Sequence, residues 1–190
     1  QIDTSSYEAM EKALRYYNGK ALINSVNGKK ESMEAIFPLV KKYGGVLIAL
    51  TLDENGIPDT ADGRVAIAKR IITEAAKYGI GVKDIVVDPL ALTVSSDKDS
   101  ALVTLKAIEA LHGMGIRTSL GVSNISFGLP SRETVNSHFL TMAFTAGLDC
   151  AIMNPYSLDM MKVYHAFCAL HGLDDNCADY ITFFENYTET

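Results

Sequence analysis

Cysteine, glycine-rich phosphate loops, long apolar runs and positive charge are all scarce in this sequence, and each scarcity narrows what the chain can do. Only three of 190 residues are cysteine: Cys150, Cys168 and Cys177. No two of them form a C-x-x-C pair. An odd, scattered set argues against a disulfide frame and for buried thiols in a reducing compartment, so a cytoplasmic location is expected. It also argues against a metal site, because His138, His165 and His171 stand at no tight ligand spacing from these cysteines. Neither G-x-G-x-x-G nor G-x-x-x-x-G-K-[ST] occurs, which removes the usual signature of a nucleotide-binding open sheet. No apolar run approaches the roughly 20 residues of a membrane span, and no signal peptide opens the chain. Lysine and arginine number 17 against 23 aspartates and glutamates, a formal net charge of −6. That balance argues against a general nucleic-acid or membrane surface. It leaves room for an anionic small molecule held by one or two local cations.

What is present is the composition of a soluble globular domain, 48% hydrophobic and 21% charged, with enough length for one sizeable core. Gln1–Thr4 reads as the tail of a strand, and Ser6–Tyr17 as a helix capped by Ser5 or Ser6. Ala21–Val26 is a short strand, and Glu31–Tyr43 a helix that Pro38 should kink. Val46–Leu50 is a continuous apolar run of the kind covered on both faces. A polar loop, Thr51–Thr60, leads to a helix over Ala61–Tyr78. Asp84–Pro89 is a strand, Asp97–His112 a helix, Ile116–Val122 a strand, Ser131–Ala146 a helix and Ala151–Met153 a strand. Leu158–Leu170 and Asp174–Tyr187 are the last two helices. Strand and helix alternate six times. Such alternation means parallel βα units, arranged either as a doubly wound sheet or as a (β/α)8 barrel.

The carboxyl ends of the predicted strands read Asp3-Thr4, Asn24-Ser25, Thr51, Asp88, Ser123-Asn124 and Asn154. Any one of these suits a loop for backbone reasons alone. In a barrel they would ring one mouth, the place where such enzymes carry their sites. Asp3 and Asp88 can accept paired hydrogen bonds from an amidine-like edge. Asn24, Asn124 and Asn154 can both donate and accept. The set suits a flat polar heterocycle with N–H and C=O edges, such as a pterin. No Ser–His–acid or Cys–His set stands out near these ends, and His138 falls in a helix.

Ile2-Asp3-Thr4-Ser5, Ile23-Asn24-Ser25-Val26-Asn27-Gly28, Val87-Asp88-Pro89-Leu90, Gly121-Val122-Ser123-Asn124-Ile125-Ser126-Phe127-Gly128 and Ala151-Ile152-Met153-Asn154-Pro155 follow one another with one spacing. This series resembles the pterin-binding methyltransferases, which comprise the folate-binding domain of cobalamin-dependent methionine synthase and the methyltetrahydrofolate:corrinoid protein methyltransferases. The resemblance implies an α/β TIM barrel of the dihydropteroate synthase type. It implies that Asp3, Asn24 and Asp88 bind the pterin of methyltetrahydrofolate, and that Asn124 reaches N5 and is the catalytic residue. Arg132 matches an arginine near the substrate, and Asn154 a residue of the mouth. It also implies methyl transfer to cob(I)alamin carried by a separate corrinoid domain or protein, within a cytoplasmic pathway of methionine biosynthesis, and leaves a homodimer open.

Six units stand where that barrel has eight, so the last six are expected here, over residues 1–173, with residues 174–190 as a C-terminal helix or a linker. No homocysteine-binding zinc site and no D-x-H-x-x-G cobalamin signature occurs. Phe127, where the corrinoid-protein methyltransferases can carry a polar residue, favours the methionine-synthase-like branch. Two alternatives remain. One is a dihydropteroate synthase, which would need a lysine and arginine set near Ser123-Asn124-Ile125-Ser126. The other is a module that binds pterin and catalyses nothing.

Overall fold

The computed structural model describes residues 1–186. Within it the alternation of apolar strands and amphipathic helices resolves into six parallel βα units. The strands are β1 (Ile2–Asp3), β2 (Leu22–Asn27), β3 (Val46–Leu50), β4 (Ile85–Asp88), β5 (Ser119–Gly121) and β6 (Cys150–Ile152). The helices are α1 (Tyr7–Tyr16), α2 (Lys30–Tyr43), α3 (Ala61–Ala76), α4 (Ser100–Gly113), α5 (Arg132–Thr145), α6 (Leu158–Leu170) and α7 (Ala178–Asn186). Side-chain caps start several of them: the Ser6 hydroxyl accepts from Ala9 N–H at 3.2 Å, and the Thr60 hydroxyl from Gly63 N–H at 3.2 Å.

Strands β1 to β4 form one sheet in sequence order, and β5 and β6 a second. A parallel bridge between Val87 and Thr118, with Val87 N–H donating to the Arg117 carbonyl at 2.8 Å, joins the two. The strands therefore follow one another in a single arc with β1 and β6 at its ends. Registered residues of a parallel sheet share a face, and successive residues alternate between faces. Ile23, Leu47 and Ile85 are in register. They pack outward into a core with Met10, Phe37 and Ile71 from α1, α2 and α3. Leu120 does the same in a second core with Phe139 and Leu140 of α5. The opposite, inner face carries Asn24, Ile48 and Val86 in one row and Asn27, Leu50 and Asp88 in the row above.

Several boundaries differ from expectation. β5 ends at Gly121 instead of Val122, because Val122–Ser126 winds into a 3-10 turn that buries Val122 and Ile125, three residues apart. Asn24 is not the end of its strand: β2 continues to Asn27, with a register shift between Asn24 and Val26 that leaves Ser25 as the extra residue of a bulge. Pro38 does not interrupt α2. It stands on the exposed side, where the Glu34 carbonyl that loses its N–H partner can reach water. The cysteines are free but not buried: Cys150 and Cys177 are exposed and Cys168 is intermediate. After α6 the chain makes a 3-10 turn (Asp175–Cys177) before α7, which stacks on α6 through the Phe183 and His165 rings, 4.3 Å between centroids. The expected continuation of this segment through Tyr187–Thr190 lies outside the described residues.

The mouth loops are tied together at Gly28. Its N–H donates to the Leu52 carbonyl at 2.7 Å, and its own carbonyl accepts from Arg70 at 2.5 Å. Arg70 also pairs with Asp53 at 3.2 Å. A Cβ on Gly28 would lie 2.7 Å from the Arg70 guanidinium, 2.9 Å from Ile67 Cγ2 and 2.9 Å from the Leu52 carbonyl oxygen. Gly28→Ala is therefore expected to destabilise the fold by about 1–3 kcal/mol, read as a lower urea midpoint. A wild-type midpoint would contradict this packing.

Candidate functional site

Asp88 ends β4 on the inner face and is only 7% exposed. Its neighbours fix it from two sides. Its carbonyl accepts from the Thr51 N–H at 3.1 Å and the Thr51 hydroxyl at 3.2 Å. Its carboxylate Oδ1 accepts from the Leu90 N–H at 2.8 Å. Burial raises its pKa from the ordinary 3.8 to about 6, while the Leu90 amide, the Arg64 charge and the Gly121 amide pull it down. Among the described residues no lysine, arginine or histidine pairs with this carboxylate within ion-pair distance. A desolvated carboxylate without a cation partner is costly for folding and well suited to an incoming donor pair.

Asn124 stands on the 3-10 turn after β5 and is exposed. Its side chain lies over Gly121, with Nδ2 3.1 Å from where a Gly121 Cβ would be. The Gly121 amide also acts on Asp88, so Gly121 is the shared neighbour that brings Asp88 and Asn124 to one place. A Cβ at 121 would press on the end of the Asn124 side chain, which would have to give by a few tenths of an ångström. Arg132, the first residue of α5, donates from Nε to the Ser126 hydroxyl at 3.0 Å and from a terminal nitrogen to the Ser123 carbonyl at 2.7 Å. Its guanidinium also sits 5.8 Å from the centre of the Phe127 ring. These contacts brace both ends of the turn that presents Asn124, while the arginine itself stays exposed.

Asp3 and Asn24 are registered partners on β1 and β2, one row below Asp88 along the inner face. Asp3 is exposed, with the Gln1 side chain 3.4 Å away. Thr51, at the end of β3, is fully buried and spent on Asp88. Asn154 lies beyond β6, and its side-chain oxygen accepts from the Tyr156 N–H at 3.0 Å, so that oxygen serves the turn into α6. With Ser123, Arg132, Asn136 and Met153 it lines a cavity of about 240 Å³ beside the Asn124 turn.

Two polar residues near the site were not singled out from the sequence. Arg64 is 1% exposed and bonds the Pro89 and Leu90 carbonyls just after Asp88. Asn136 is 4% exposed, and its side-chain oxygen is buried without a partner at the cavity. The signal for both was helical spacing. Arg64 precedes Ala68, Ile71 and Ala75 on the buried stripe of α3, and Asn136 precedes Leu140 and Ala143 on that of α5. Among the described residues no group of three or more His, Cys, Asp or Glu is placed to hold a metal ion.

Comparison with known proteins shows the family and the fold. Residues 1–154 match the family described as pterin binding enzyme. A methylcorrinoid:tetrahydrofolate methyltransferase of Eubacterium limosum is 34% identical over 183 residues, which cover 94% of this chain and 68% of that protein. The methionine synthase of Mycobacterium tuberculosis is 33% identical over 167 residues, 80% of this chain but only 14% of the synthase. A crystal structure of Yersinia pestis dihydropteroate synthase superposes with a TM-score of 0.70 at 15% identity, covering 92% of this chain and 71% of that one. This last likeness shows the fold, an arc of the dihydropteroate synthase type of α/β barrel. With the family matched over most of its length, the chain belongs to the pterin-binding enzymes.

Proposed function

We propose that this chain binds methyltetrahydrofolate and serves methyl transfer between N5 of that folate and a corrinoid cofactor. The observation that carries the reading is the pairing of a buried, cation-free carboxylate, Asp88, with the exposed amide of Asn124 across Gly121. Asp88, with Asn24 and Asp3 below it on the inner face, would accept from the N–H edge of the pterin. Asn124 would hydrogen-bond N5.

The corrinoid, when bound by its own domain or protein, supplies the cobalt nucleophile that takes the methyl group. A corrinoid delivered by a partner would meet the open mouth, where Asn124 and the 68% exposed Phe127 stand. As the bond between N5 and the methyl carbon breaks, its electron pair stays on N5, which takes up a proton. A rigidly held ring lowers the orientation cost of the transfer. A hydrogen bond from Asn124 that strengthens as charge moves onto N5 lowers the barrier further. The Eubacterium limosum relative is named for transfer from methylcorrinoid to tetrahydrofolate. The same contacts serve both directions, because forward and reverse transfer share one transition state.

A place within a methionine synthase rests on a match to 14% of such an enzyme, and it remains part of this proposal along with the division into residues 1–173 and 174–190. A dihydropteroate synthase activity is disfavoured. No lysine stands in Ser123–Ser126, and the nearby Arg132 is engaged with Ser123 and Ser126.

Calorimetric titration with methyltetrahydrofolate tests the reading. Wild-type protein is expected to bind with micromolar affinity, and Asp88→Ala to lose binding. Absence of binding, or equal affinity in both proteins, would overturn it. Asn124→Ala should lower the turnover of methyl transfer to a reduced corrinoid protein by about 100-fold and leave folate affinity within about threefold. Equal losses in both quantities would contradict the role given to Asn124.

The Asp88 carboxyl also makes a stability prediction. With its pKa raised from 3.8 to about 6, the folded chain holds a proton between those values that the unfolded chain releases. Stability without ligand therefore falls as pH rises from 3.8 to about 6, then levels off. Asp88→Asn should flatten that slope and stabilise the ligand-free protein at pH 7 by up to about 3 kcal/mol, as measured by urea unfolding. Folate affinity, which needs the carboxylate, should fall as pH drops through about 6. A stability slope identical in both proteins would show that Asp88 is not held as described.

A further inference from the structure

Arg64 lies in the first turn of α3 and is 1% exposed. Its Nε donates to the Pro58 carbonyl at 3.0 Å. One terminal nitrogen donates to the Pro89 carbonyl at 2.9 Å, the Leu90 carbonyl at 2.6 Å and the Thr104 hydroxyl at 3.0 Å. The Thr104 hydroxyl in turn reaches the Leu90 carbonyl at 3.0 Å. One guanidinium thus joins the loop before α3, the exit of β4 and the middle of α4. All four of its direct partners are neutral. The acids that act on it through space are Asp59 before α3, Asp88 on β4 and Asp97 before α4.

A cation desolvated among neutral acceptors is an expensive way to fill a helix stripe that continues with Ala68 and Ile71. What it secures is Leu90. That residue adopts φ 65°, a left-handed backbone state that a leucine rarely takes. Both of its polar backbone groups are committed: the N–H to Asp88 Oδ1 and the carbonyl to Arg64 and Thr104. A direct line of contacts therefore runs from Arg64 through the Leu90 peptide to the Asp88 carboxylate.

We propose that Arg64 is a positioning residue for Asp88: it holds the Leu90 peptide so that its N–H aims the carboxylate. Its charge, though not in contact, adds to the pull of the Leu90 and Gly121 amides on that carboxylate. The ligand part of this inference rests on the reading of Asp88 as the pterin anchor. Arg64 touches no part of the inner face itself. Asp88 also feels the Leu90 and Gly121 amides, and the Thr51 donors bind its backbone carbonyl. Those contacts remain when Arg64 is changed.

The test compares wild type, Arg64→Lys and Arg64→Gln by three readouts: thermal unfolding, titration of the Asp88 carboxyl by carbon NMR without ligand, and methyltetrahydrofolate affinity at pH 7. Arg64→Gln should move the Asp88 midpoint to higher pH and weaken affinity about tenfold or more. Arg64→Lys, which keeps the charge, should hold the midpoint near wild type. An unmoved midpoint in Arg64→Gln, or the same midpoint shift in both variants, would overturn the proposal, because a purely structural arginine would lower stability without moving the Asp88 titration.

If Arg64→Gln does not fold, Thr104→Val decides. It keeps the cation and removes one hydroxyl from the Leu90 clamp, so weaker folate binding with an Asp88 midpoint moved to higher pH supports the proposal. Wild-type affinity in Thr104→Val, or an unmoved midpoint, overturns it. Wild-type protein that fails to bind folate while Arg64→Gln still moves the midpoint would sink the pterin reading and leave the coupling of Arg64 to Asp88 standing.

Discussion

The burial of one carboxylate governs the candidate site. Asp88 is the last residue of a four-residue strand whose positions are all buried, and it faces inward with no cation in contact. The surroundings that make this possible are backbone: the Leu90 and Gly121 amides at the carboxylate and the Thr51 donors at the carbonyl. Amides hold an anion without neutralising it, so the carboxylate keeps its capacity to accept from a ligand. The raised pKa is the thermodynamic trace of that arrangement, and under the proposed function it marks a place where stability is given up for recognition.

Around this fixed point the mouth has a firm wall and an exposed rim. The wall is the inner face of β2, β3 and β4, continuous in register and backed by the core beneath α1, α2 and α3. The rim is the 3-10 turn that presents Asn124, braced by Arg132 at Ser123 and Ser126 and anchored inward by Val122 and Ile125. Under the proposed function, recognition of a flat ring falls to the wall and contact with its reacting nitrogen to the rim, with Gly121 between them. At β6 the inner-face residues Cys150 and Ile152 remain exposed, so the arc is open on that side.

Much of this was legible in the sequence because it depends on periodicity. Apolar runs such as Val46–Leu50 can only be strands covered on both faces, and their alternation with helices fixes parallel βα units. The polar residues at the strand ends followed from the same reading. What was not legible depends on three-dimensional context. The bulge at Ser25 leaves Asn24 in mid-strand, although no glycine marks it. Val122 reads as the last residue of a strand because it ends an apolar stretch, while its spacing of three from Ile125 serves a 3-10 turn. Arg64 reads as one more charge near a helix start; only the convergence of the Pro58, Pro89 and Leu90 carbonyls shows why a cation is buried there. The cysteines were expected to be buried as small apolar residues, yet two of the three lie on the surface.

The most direct test of the account is a crystal structure of this chain soaked with methyltetrahydrofolate. The account predicts the pterin ring on the inner face of β2 to β4, its N–H edge within hydrogen-bond distance of the Asp88 carboxylate and its N5 within reach of the Asn124 amide. Folate bound elsewhere, or a pterin ring that leaves Asp88 without a ligand contact, would contradict it.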